Sequence, residues 1–148
     1  MSIRHKLAIL LLMFIAAMVF LTVDLLFVSG DELAGAEQMN NTAAVTVEVL
    51  DRTGTQLLET HTLTRGQGTA LQSLILRGSY LRTFSESAQV GKDEKTYDIY
   101  IVLPEQQQTI RFAVLGSRLL ASPDTFGGWL KIQDKDWEIA FNGILAAP

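Results

Sequence analysis

Ala44-Val45-Thr46-Val47-Glu48-Val49-Leu50 puts three valines on one face of an extended chain and Thr46 and Glu48 on the other. That two-residue period is the mark of a half-buried β-strand. Asp51-Arg52-Thr53-Gly54 follows at once. The aspartate can open a tight turn by accepting backbone N–H groups, and the glycine can take a positive φ without steric cost. Residues 55–63, rich in Thr and Leu, then return as the second arm of a hairpin.

Working downstream, Gly66-Gln67-Gly68 breaks the extended pattern, and Thr69 with Gln72 has the spacing of a capping box. The periodicity predicts a helix over 70–83, with Leu71, Leu74, Ile75, Gly78 and Leu81 along one stripe. Residues 85–95 are polar and read as a loop. In Thr96–Leu103 the alternation resumes: Tyr97, Ile99, Ile101 and Leu103 face inward, Asp98 and Tyr100 outward. Pro104 and the three glutamines 106–108 make a turn into a strand over 109–115, with Ile110, Phe112 and Val114 inward. Residues 118–122 form a short strand candidate ended by Pro123-Asp124, and 129–132 a last strand. Asp134 can cap a final helix in which Trp137, Ala140, Phe141, Ile144 and Leu145 share a face, with Asp136 and Glu138 suiting its positive end. The expected class is α+β, in the order ββαβββα with residues 118–122 as an optional extra strand. Short turns make the sheet mostly antiparallel, and both helices must lie on its faces.

Upstream of the strand the chain changes character. Residues 7–28 carry a single charge, Asp24. As a helix this stretch extends roughly 33 Å, enough to cross a hydrocarbon layer of about 30 Å. Arg4, His5 and Lys6 precede it, whereas Asp31, Glu32 and Glu37 follow, with no Lys or Arg before Arg52. That asymmetry predicts residues 1–6 in the cytoplasm, a signal-anchor helix in the plasma (inner) membrane, and the remainder outside. A cleaved leader ending at Ala36, in the small-x-small run Ala34-Gly35-Ala36, is the less favoured account and would make the product secreted. Its apolar run is longer than leader segments usually are. Residues 29–42, small and polar without hydrophobic period, read as a linker, leaving 43–148 as one extracytoplasmic domain.

Composition removes several function classes. No cysteine is present among the 148 residues, so disulfide scaffolds, thiolate metal sites and cysteine nucleophiles are excluded. Net charge is −4 and the pI is near 5.1, which argues against nucleic acid as a partner. The sole histidine beyond residue 28 is His61, in a Thr-rich strand. No serine is flanked as a nucleophile, and Asp134-Lys135-Asp136-Trp137-Glu138 lacks the central glycine of a calcium loop. No catalytic residue, cofactor or metal ligand is assigned.

Two features remain. Arg65, Arg77 and Arg82 occur with no acid between Glu59 and Glu86, a candidate surface for an acidic partner or for lipid headgroups. Gly66, Gly68 and Thr69 resemble an anion-binding turn, because free amides at a helix start attract phosphate or carboxylate. Tyr100, Phe126 and Trp129 are possible binding aromatics, though packing uses such residues more often. The expected function is a single-pass, membrane-anchored interaction or accessory module without enzymatic activity, binding another envelope protein or assisting a membrane complex. The alternative is a small-ligand or anion sensor built on the helix start at 66–69. The layout resembles that of many bacterial envelope proteins with a small domain outside the membrane.

Overall fold

A computed structural model describes residues 3–40, 42–83, 94–121 and 128–148. Helix α1 (Ile3–Leu26) is apolar from Leu7 onward apart from Thr22 and Asp24, has no buried residue and is long enough to cross a membrane. It runs without a spacer into strand β1 (Phe27–Ser29). Two 3-10 turns (Gly30–Glu32 and Ala36–Gln38) lead to β2 (Ala44–Leu50), β3 (Leu57–Thr62), α2 (Arg65–Arg77), β4 (Ser79–Arg82), β5 (Thr96–Leu103), β6 (Gln108–Leu115), β7 (Arg118–Ala121), β8 (Leu130–Ile132) and α3 (Trp137–Ala146).

The eight strands form one sheet in the order β1-β4-β8-β7-β6-β5-β2-β3, and every pairing is antiparallel. The expected α+β class is therefore the observed one. Val45, Val47 and Val49 of β2 stand beside Ile101, Ile99 and Tyr97 of β5, which in turn face Ile110, Phe112 and Val114 of β6. Nearly all of these side chains are buried, as period-two alternation requires of a sheet with one dry face. Leu71 and Ile75 of α2, Tyr80 of β4 and Trp137 with Phe141 of α3 complete that core.

Local chemistry explains the turns. Asp51 accepts from Thr53 Oγ1 at 2.6 Å, Thr55 N at 2.9 Å and Gln56 N at 3.1 Å. These donors hold its carboxyl below the usual carboxylate range, the Thr53 hydroxyl most strongly. Gly54 takes φ +70° to close the turn. The β5–β6 connection falls at residues 104–107, where the proline and glutamines were expected to turn.

Four expectations are corrected. The helix of residues 7–28 stops at Leu26, and Phe27 and Val28 belong to the sheet, with Val28 buried in the core. Residues 29–42 are not a loose linker. Gly30, Leu33 and Ala36 are buried, and Gly30 N donates to Gly78 O at 3.0 Å. The helix expected over 70–83 runs from Arg65 to Arg77, because Thr64 rather than Thr69 caps it. Thr64 N donates to Gln67 Oε1 at 2.8 Å, and Gln67 N to Thr64 Oγ1 at 3.4 Å, a reciprocal capping box. Gly78 then leaves the helix in an extended conformation, and residues 79–82 become a strand instead of its last turn. Of the expected loops, residues 84–93 lie outside the described residues.

Helix α3 carries the predicted apolar stripe, but its N-cap is Asp136 rather than Asp134, Ala140 is exposed, and only Trp137 and Phe141 are fully buried. Asp134 shapes the preceding turn: its O accepts from Trp137 N, and its Oδ1 from Asp136 N at 2.9 Å. The far end of α3 meets the start of α2. Gln67 Nε2 donates to Ile144 O at 3.1 Å and Ala147 O at 2.9 Å, satisfying carbonyls that a helix end otherwise leaves unpaired.

Candidate functional site

The three arginines grouped by the sequence are dispersed by the fold. Arg65 opens α2 and Arg77 closes it, so their backbones stand roughly 18 Å apart at 1.5 Å per residue. Both are exposed. Arg77 sits among the last carbonyls of α2, where a cation complements the helix dipole. Below it, the buried Tyr80 hydroxyl donates to Ile75 O at 2.8 Å. Burial pushes the Tyr80 phenol far above the ordinary tyrosine range, and the neighbouring Trp137 indole offsets a part of that. Arg82 lies at the other end of β4 and beside Leu130 in the ladder. It borders a cleft of about 160 Å³ whose walls include Val28, Glu32, Leu33 and Leu130. Arg77 and Arg82 thus flank the strand that pairs with β1, and Arg65 stands apart from both.

The glycine turn is used up by the helix. Gly66 and Gly68 are the second and fourth residues of α2, and Thr69 follows them inside it. Gly68 N donates to Thr64 O at 2.8 Å, so that amide is engaged. Gly68 is buried because α2 crosses β2 there: a Cβ at this position would meet Val45 Cγ2 at 3.1 Å. The sequence feature that resembled an anion cradle is a close helix-to-sheet crossing.

A polar cluster on the opposite face of the sheet was not foreseen. Asp98, expected to point outward, is only 3% exposed. Arg111 Nη2 donates to Asp98 Oδ2 at 2.5 Å, and its guanidinium lies 5.8 Å from the centre of the Tyr100 ring. Tyr100 OH donates to the same carboxylate oxygen at 3.4 Å. Burial first, and the Asp98 charge second, push the Tyr100 phenol up, while the hydrogen bond to Asp98 holds the Arg111 guanidinium more firmly protonated than usual. The signal was present in the sequence. A hairpin turning at residues 104–107 sets Tyr100 opposite Arg111, as observed, and Asp98 diagonal to it.

His61 lies on the edge strand β3 with Nε2 at 3.3 Å from Glu59. Among the described residues no group of three or more His, Asp or Glu side chains is placed to hold a metal ion. Trp129 is half-buried just before β8, Tyr100 belongs to the Asp98 cluster, and Phe126 lies outside the described residues. No family profile matches the chain, and no curated protein or solved structure matches it.

Proposed function

We propose that the chain is a membrane-anchored accessory protein without enzymatic activity, whose folded domain engages another envelope protein on the outer side of the plasma (inner) membrane. One observation carries this reading: α1 passes directly into β1, and Val28, two residues past the helix, is buried in the domain core. A domain joined to its anchor without slack does not search the surrounding solution. It works on what is held at the same membrane. The basic residues 4 and 6, against Asp31, Glu32 and Glu37 on the far side, set the orientation.

Arg77, exposed at the end of α2, is the arginine taken to meet an acidic partner. The domain around it is acidic, with 10 Lys and Arg against 15 Asp and Glu from residue 29 onward, so a partner with its own acidic patch finds few other positive contacts. Arg77→Ala is expected to reduce cross-linked capture of the partner from native membranes at least tenfold. Loss of its dipole contact should lower domain stability by less than about 1 kcal/mol. Capture unchanged by the substitution removes this arginine from the interface.

A further inference from the structure

Strands β4 and β8 reach past the start of β1 toward the membrane-span helix. Leu81 stands opposite Phe27 and Lys131 opposite Leu81, which makes one row across three strands. The next row toward α1 holds Arg82 and Leu130. One row beyond, the Thr83 hydroxyl donates to Trp129 O. With neighbouring strands about 4.8 Å apart, Arg82 is one strand from the point where α1 ends, and Trp129 two.

Residues 7–26 of α1 span about 30 Å as a helix, the thickness of the hydrocarbon layer. Leu26 then marks the boundary of that layer, and the headgroups occupy the next 5 to 7 Å or so. Counted along the strands, Phe27 lies one residue outside that boundary and Arg82 level with it. Trp129 lies one residue, about 3.4 Å, to its membrane side, so all three sit where headgroups meet hydrocarbon. Tryptophan favours this interface because its ring is apolar and its N–H is polar, and an arginine can reach lipid phosphate from an apolar stem. Phe27, 47% exposed, offers apolar surface at the same level.

We infer that this end of the sheet, led by Trp129 and Arg82, rests in the phospholipid headgroup layer of the bilayer that holds α1. The inference rests on the anchored reading above. The occupant is the lipid phosphate and glycerol region common to all phospholipids, not anionic lipid in particular. Glu32 lines the same cleft as Arg82, and Asp31 adjoins it, so the arginine brings little net attraction for an anionic surface.

The full chain reconstituted into phosphatidylcholine vesicles tests this, with lipid brominated near the headgroup as the quencher. The protein has two tryptophans, and Trp137 is only 1% exposed. Brominated lipid should therefore quench the Trp129 share of the emission and leave that of Trp137. Bromine deeper in the chains should quench less, and adding phosphatidylglycerol should change little. Trp129→Phe should abolish the quenching, while the retained Trp137 emission reports a folded domain. If that variant does not fold, stronger quenching by shallow than by deep bromine in the wild-type chain still supports the seat. Vesicles that carry the protein on flotation yet leave its emission unquenched overturn this inference alone. Failure to float with vesicles overturns the anchored reading and this inference together.

Discussion

Gly30→Ala is expected to destabilise the domain by about 3 kcal/mol, the upper part of the range for overpacked interiors. A methyl group at this position would stand 2.1 Å from Ile75 O and 2.4 Å from Leu76 O. These are backbone atoms at the end of α2, so no side-chain rotation relieves the clash. Backbone movement is restrained as well. Tyr80 holds Ile75 O at 2.8 Å, and Gly30 N holds Gly78 O at 3.0 Å. Relief would come from pulling residues 30–36 off the end of α2, which exposes Leu33 and Ala36 and weakens the β1–β4 pairing. Denaturant unfolding of the full chain in detergent measures the loss. Wild-type stability in this variant would show that the close approach of Gly30 to the end of α2 does not constrain the fold.

Trp137→Ala is expected to cost about 3 to 5 kcal/mol, as for other large aromatic deletions in cores. Trp137 is the largest fully buried side chain. It stacks on Phe141 at 5.2 Å with ring planes 17° apart, and Phe141 meets Tyr97 edge-on at 5.1 Å. This aromatic run ties α3 to β5, and removing its first ring leaves a cavity that the short helix cannot fill without tilting. Denaturant unfolding, with near-ultraviolet circular dichroism to follow the remaining aromatics, reads both effects. Trp137→Phe should recover part of the loss. A cost below about 1 kcal/mol would mean that α3 contributes little to the core.

Strands with one wet face were legible in the sequence because alternation reports burial directly. Val45, Val47 and Val49, and Ile99 and Ile101, lie where their spacing put them. Turns were legible from Asp51, Gly54 and Pro104, whose side chains or φ preferences act locally. The end of α1 was not legible. Phe27 and Val28 are apolar, and a bilayer and a protein core select the same residues. Gly30 misled for a related reason: a small residue suits a loose tether and also a contact too close for any Cβ. The strand of residues 79–82 was hidden because Leu81 continues the Leu74 spacing, whereas the extended Gly78, the pairing with β1 and β8 and the burial of Tyr80 are all non-local. The arginines were close in sequence, but a 13-residue helix separates the first two in space. The Asp98–Arg111 pair, by contrast, needed only the hairpin register.

Hydrogen exchange on the full chain in lipid nanodiscs tests most directly whether anchor and domain are one continuous piece. The amides of Gly30, Leu33 and Ala36, which donate to Gly78 O, Gly30 O and Leu33 O and belong to buried residues, should exchange far more slowly than an unstructured peptide. If they exchange at the rate of an unstructured peptide while the central strands stay protected, the domain hangs on a free tether and the account fails.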